Sequence, residues 1–171
     1  MHYSKIDYMS IVDGTGVRVT LFVSGCRNHC KGCFNQATWD FDYGNEFTPI
    51  EENEIFTGVA HAYIDGLTIL GGEPFEEENQ KALLPFIQRF KKRFPNKTIW
   101  MYTGYVLDED LLAGQRKHVP GTTDEILKHI DVLVDGPFIK EQRNLELKFR
   151  GSENQHIMNR AEIQARMNTG K

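Results

Sequence analysis

The chain has 171 residues, 40% of them hydrophobic, a net charge of −4 and a pI near 5.9. That length suits one domain able to bury a core, and the weakly acidic balance offers no basic surface for a nucleic acid or an anionic membrane. No apolar run approaches the roughly 18 residues that read as a membrane span, and MHYSKIDYMS at the start lacks the charged and apolar stretches of a signal peptide. The basic cluster Arg89, Lys91, Lys92 and Arg93 falls on a helical pattern and reads as a solvated face.

In chain order, the first strong signal is the apolar run Val17 to Val23, read as a buried strand. All three cysteines follow it: Cys26, Cys30 and Cys33, spaced C-x3-C-x2-C. An odd number so tightly spaced argues against a disulfide framework and for a reducing, cytoplasmic setting. It offers three thiolates to one metal centre. A structural zinc site wants four ligands, so zinc would need His29 or another histidine as well. A 4Fe–4S cubane held only by protein takes four cysteines; three would leave one iron open to a small molecule.

Thr48-Pro49-Ile50-Glu51 is a capping box with proline at the first helical position. It predicts a helix to about Tyr63, with Ile55, Val59, Ala62 and Tyr63 at helical spacing. A second strand, Leu67 to Leu70, runs into Gly71-Gly72-Glu73-Pro74. The two glycines allow close backbone approach by a ligand, or the four residues are a plain strand-to-helix turn in which Glu73 caps the next helix. That helix, Glu76 to Phe94, carries Leu83, Ile87, Phe90 and Phe94 on one stripe. Pro85 inside it should kink or divide it.

The third strand is Thr98 to Tyr102, ending at Thr103-Gly104-Tyr105. Ala113 to Thr123 reads as a loop, Asp124 to His129 as a short helix, and Val132 to Val134 as a fourth strand ending at Asp135-Gly136-Pro137. Thr103 and Asp135 are polar residues closing apolar strands, able to cap them or to reach a ribose, a carboxylate or a cation. Leu145 to Phe149 is a possible edge strand, and the tail from His156 to Lys171 carries a weak helical pattern or is disordered. Residues 1–155 are thus taken as the domain and 156–171 as its tail.

Strands alternating with helices predict an α/β fold with a parallel sheet. A closed eight-fold barrel needs roughly 250 residues, so only an open partial (β/α) barrel is within reach. In such folds ligands gather beyond the carboxyl ends of the strands, where every motif named above lies.

The cysteine loop, the preceding Asp13-Gly14-Thr15-Gly16-Val17-Arg18 and the later motifs resemble the radical S-adenosylmethionine superfamily. The run D-G-x-G-x-R is similar to that of the enzymes that install glycyl radicals. The short length, Trp100-Met101-Tyr102-Thr103-Gly104-Tyr105, and Arg150-Gly151-Ser152 with Asn154 and Gln155 resemble the activating proteins of anaerobic (class III) ribonucleoside-triphosphate reductases.

The resemblance implies a radical SAM type of partial barrel over about residues 6 to 155. It implies a 4Fe–4S cluster on Cys26, Cys30 and Cys33, whose fourth iron is chelated by the amine and carboxylate of S-adenosylmethionine. Gly71, Gly72, Glu73 and Pro74 would meet the methionine amino group, and Thr103 and Asp135 would lie near the cofactor. The superfamily often has an aromatic residue before the third cysteine; here Gly32 stands there, and Phe34 takes over as the candidate for packing on adenine. Arg18 would bind a carboxylate or pair with a buried acid, and Arg150 to Gln155 would face cofactor or partner.

The implied reaction is one-electron cleavage of S-adenosylmethionine to methionine and a 5′-deoxyadenosyl radical. That radical takes hydrogen from a glycine Cα on the large subunit of an anaerobic ribonucleotide reductase. With no cysteines for a second cluster, the electron comes from an external donor of flavodoxin or ferredoxin type. The alternatives are an activator of another glycyl radical enzyme such as pyruvate formate-lyase, a small-molecule enzyme such as a deazapurine synthase, and a non-catalytic zinc-binding module.

Overall fold

The computed structural model describes residues 1–169. Seven strands form one open mixed sheet: β1 (His2–Ser10), β2 (Arg18–Val23), β3 (Asn45–Glu46), β4 (Gly66–Gly71), β5 (Thr98–Tyr102), β6 (Val132–Asp135) and β7 (His156–Asn159). Their spatial order is β3-β1-β2-β4-β5-β6-β7. The four strands read from sequence, β2, β4, β5 and β6, are parallel neighbours. The flanks are antiparallel, β1 on β2, β3 on β1 and β7 on β6, so the sheet is mixed rather than wholly parallel. β1 was not legible because its sequence, HYSKIDYMS, is half-exposed and bulged, without an apolar run. The strand expected over Leu145–Phe149 is instead irregular, and the edge position beside β6 is taken by β7.

Four helices complete the fold: α1 (Pro49–Val59), α2 (Glu77–Arg93), α3 (Thr123–His129) and α4 (Arg160–Thr169). All contribute to one core on one face of the sheet. Strand residues alternate between faces, which puts Val19, Leu21 and Val23, Leu67 and Ile69, Ile99 and Met101, and Leu133 against Ile55, Phe86, Phe90, Leu127 and Ile163. The other face carries Arg18, Thr20, Thr68, Trp100, Tyr102 and Val134 and, among the described residues, no helix. Trp100 there meets the Phe149 ring edge-on at 5.3 Å.

The Thr48 capping box forms as read. The helix it opens ends at Val59, before Tyr63, where the Lys97 ammonium binds the His61 carbonyl at 3.1 Å and also that of Ile64. Pro85 does not divide α2. It lies on the exposed side, so the Lys81 carbonyl that loses its hydrogen bond can turn to water. A single π-helical turn, Leu107–Leu111, follows β5 unannounced. The tail pairs through β7 and then docks α4, with Ile163 fully buried; its last two residues lie outside the described ones. Among the described residues no helix is long and apolar enough to cross a membrane.

Candidate functional site

The carboxyl ends of β2, β4 and β5 converge on a cavity of about 440 Å³. Cys26, Cys30, Cys33, Phe34, Gly71, Gly72, Glu73 and Thr103 all line it. Of the sequence candidates, Pro74 and Asp135 do not.

The cysteine loop leaves β2 at Gly25, whose φ of +95° turns the chain. The loop is then stitched to the 3-10 turn Gln36–Trp39: Gly25 N donates to Thr38 O at 2.8 Å and Cys26 N to Trp39 O at 3.2 Å. His29, in the left-handed region at φ 46°, stacks on Trp39 with ring centres 4.4 Å apart.

All three cysteines are free thiols, Cys26 buried and the others half-buried. Burial pushes Cys26 up to about 11, against the backbone amides of Asn28 and His29. Burial also raises Cys30, against the Phe138 amide. These thiols therefore stay protonated at neutral pH until a cation is bound. Among the described residues no three His, Cys, Asp or Glu side chains close on one ion. Three soft donors around one cavity, two of them offered backbone N–H groups, suit an iron–sulfur cluster.

The two glycines admit protein as well as any ligand. A Cβ on Gly71 would sit 2.6 Å from Val23 O, and one on Gly72 2.6 Å from Gly25 O. Their bareness lets the end of β4 pack directly on the backbone that launches the cysteine loop.

Glu73 is buried, and each of its oxygens accepts twice. Oε1 takes Phe75 N at 2.9 Å and the Thr103 hydroxyl at 2.7 Å; Oε2 takes Gly104 N at 2.7 Å and the Asn28 amide at 3.1 Å. It clamps three strand-end segments together and does not cap α2, whose N-cap is Glu76. Burial pushes its carboxyl up to about 7, against the bonds from Phe75, Thr103 and Gly104.

Thr103 also accepts from Tyr105 N at 3.0 Å. Asp135 points to the helical face of the sheet, as strand alternation requires. There it accepts from Leu107 N at 2.8 Å and lies 3.3 Å from His156 Nδ1. Asp13 lines the cavity and accepts from Ser10 Oγ at 2.6 Å.

Arg18 sits at the opposite end of β2, fully buried, and neither alternative read from sequence holds. Its guanidinium donates only to neutral oxygens: Thr68 Oγ1, Thr98 Oγ1 and the carbonyls of Thr15, Leu67 and Thr98, at 2.7–3.2 Å. Burial pulls it down to about 10.

Sequence reasoning gave no role to Glu76, Tyr105 and Lys117. The buried Glu76 carboxylate accepts from Tyr105 Oη at 2.6 Å, Lys117 Nζ at 3.2 Å, and the backbone and side chain of Arg27. Burial pushes Glu76 up, but these bonds outweigh it and hold the carboxyl below its ordinary value. An acid beside two more at a helix start looks like dipole compensation, and nothing local marks it as different. Tyr102 was given no role either: its hydroxyl is buried at the cavity wall and has no partner among the described residues.

A larger cavity of about 760 Å³ lies between β1 and α1, lined by residues such as Tyr8, Glu54, His61 and Tyr63 but by none of the cysteines.

Residues 12–158 match the family model of the 4Fe-4S single cluster domain. The chain is 44% identical over 159 residues to the anaerobic ribonucleoside-triphosphate reductase-activating protein of Haemophilus influenzae, covering 92% of this chain and 97% of that one. It is 38% identical to the proteins of the same name from Enterobacteria phage T4 (92% and 93% covered) and Escherichia coli K12 (92% and 97%). With the cysteines, the glycine-lined rim and near full-length likeness in agreement, the chain belongs to the 4Fe-4S single cluster domain family, among the anaerobic ribonucleoside-triphosphate reductase-activating proteins.

Proposed function

We propose that this protein installs a glycyl radical on the large subunit of an anaerobic ribonucleotide reductase. It would use a 4Fe–4S cluster held by Cys26, Cys30 and Cys33, with S-adenosylmethionine on the fourth iron. The observation that carries the reading is that three free cysteines share one cavity at the carboxyl rim of the parallel strands, in a chain whose relatives bear that activating name. The bound pair would supply one-electron cleavage of the sulfonium bond and hydrogen abstraction from a glycine Cα.

Each element of the rim has a task in this reading. Gly71 and Gly72 present bare backbone to the methionine end of the cofactor. Glu73, with both oxygens taken by protein donors, holds the rim in shape, and the Thr103 hydroxyl stands beside it. Phe34, 99% exposed at the mouth, offers a face to adenine. Leu70, Phe138, Leu147 and Phe149 give the cavity an apolar wall against water. Asp135 acts at one remove, by fixing the Leu107 turn and His156.

The open sheet with one helix-free face fits a radical SAM type of partial barrel, whose open side admits a protein substrate. The electron comes from an external donor of flavodoxin or ferredoxin type, and three closely spaced free thiols suit the cytoplasm. The relatives' shared name favours the reductase over pyruvate formate-lyase as partner.

The test is anaerobic reconstitution, followed by iron and sulfide analysis and a 5′-deoxyadenosine assay under dithionite. About four irons per chain and product formation are expected, together with a glycyl spin signal when the reductase is added. Cys26→Ala should abolish product while leaving the fold. A zinc-loaded, iron-free protein that still activates the reductase would overturn the reading.

A further inference from the structure

The Arg150–Gln155 segment is built as a brace. Asn154 Nδ2 donates to Pro137 O at 2.8 Å, Gln155 Nε2 to Gly136 O at 3.0 Å, and Ile139 N to Ser152 Oγ at 3.2 Å. Glu153 N donates to Gln142 O at 3.0 Å. The brace is internally tied as well: Gln155 Oε1 accepts from Gly151 N at 2.8 Å and Ser152 N at 3.1 Å. A Cβ on Gly151 would lie 3.2 Å from the Phe138 ring. Residues 136–142 are thereby gripped from one side by residues 151–155.

On their other side the same residues meet the cysteine loop. Phe138 lines the cavity with Cys30. A Cβ on Gly32 would come within 3.0 Å of Lys140 Cδ, and Lys31 lies 3.5 Å from the Glu141 carboxylate. The loop is therefore held twice. Its Cys26 half is fixed by Glu73 and Glu76; its Cys30–Cys33 half rests on the 136–142 turn.

We infer that Ser152 and Asn154 are positioning residues for the iron–sulfur centre, acting through the 136–142 turn; Gln155, which also ties the turn, lines the cavity itself. Ser152 and Asn154 set where Phe138 and the Cys30–Cys33 half of the loop lie, and so how firmly the cluster is kept and what surroundings it feels. Hydrogen bonds to ligand sulfurs and outer-shell contacts govern both properties in iron–sulfur and metal sites. This inference rests on the reading that Cys26, Cys30 and Cys33 hold a 4Fe–4S cluster.

Asn154→Ala and Ser152→Ala test it. Asn154→Ala removes an Oδ1 that is already buried without a partner, so little stability should be lost with it. Each variant and the wild type are reconstituted anaerobically. The readouts are cluster loss to an iron chelator, the spin-resonance line shape of the dithionite-reduced cluster, and melting of the cluster-free protein. Roughly tenfold faster loss is expected, with an altered line shape and a cluster-free melting point within a few degrees of wild type. Ser152→Ala, which deletes one bond to the turn, carries the test if Asn154→Ala does not fold.

Thr48→Ala, in the α1 capping box remote from the loop, is the control for general destabilisation. Wild-type loss rates and line shapes in the brace variants would overturn the inference, as would equal changes in the control. A wild-type protein that takes up no cluster would instead overturn the functional reading beneath it.

Discussion

Arg27 gives Glu76 both its backbone N–H and its guanidinium, one to each carboxylate oxygen and each at 2.9 Å, across 49 residues of sequence. Arg27 directly follows Cys26, so this pair fixes the first cysteine of the loop to the start of α2. The carboxylate is buried whereas the Arg27 side chain is half exposed.

The consequence of losing Glu76 is one-sided. In Glu76→Ala the Arg27 amide, Tyr105 hydroxyl and Lys117 ammonium all lose their acceptor. Hydrogen bonds to a charged group contribute about 1.5–3 kcal/mol each, and unmet buried donors cost a similar amount. Water reaches Arg27 and partly Lys117, which lowers the total. A net loss of about 2–3 kcal/mol is expected, read as a melting point of the cluster-free protein lower by roughly 5–10 °C. A melting point unchanged from wild type would show that the network does not hold the loop.

Glu73 makes stability depend on pH. Its folded carboxyl stands at about 7, above its ordinary 4.5. A raised acid binds a proton more tightly when folded, so its contribution is complete below about 4.5 and is lost as pH rises through 7. From pH 4.5 to 8 this group alone should lower the stability of the cluster-free protein by about 3 kcal/mol. Denaturant melts at several pH values, in wild type and Glu73→Gln, isolate the effect. The difference between the two proteins should change across that interval, and a constant offset would contradict the assignment.

Arg18 staples the far ends of β2, β4 and β5. Its donors fan to five oxygens, while its guanidinium lies 5.7 Å from the Trp100 ring centre. Gly66 leaves the room: a Cβ there would meet Arg18 Nη2 at 2.9 Å. Lysine is a point charge with three donors and cannot reproduce a planar fan. Arg18→Lys should cost at least about 2 kcal/mol, or roughly 4–8 °C of melting point. Cluster uptake per folded chain should be unchanged, because the staple is at the end of the strands away from the cysteines. Loss of cluster without loss of stability would assign Arg18 to the site instead.

The four parallel strands, the capped start of α1 and the placing of the cysteine loop, Gly71–Pro74, Thr103–Tyr105 and Asp135–Pro137 after strand carboxyl ends were legible in the residues. Burial on the helical face demands apolar residues at fixed spacing, and strand ends are marked by glycine. β1 and β7 were not legible, because a flanking strand with a wet face needs no apolar run. Asp135 shows the limit at a single residue: its place at the end of β6 could be read, but the face it turns to depends on register against β5 and β7.

The sequence by itself determined the three thiols, within a span of eight residues, and the family the chain belongs to. Only the tertiary structure decided what holds those thiols in place. Glu73, Glu76 and the Ser152–Gln155 brace reach the loop from residues dozens of positions away, through hydrogen bonds that exist only once the sheet has brought the strand ends together. Covalent spacing can be counted along a chain, whereas a buried acceptor is defined by the donors that folding delivers to it.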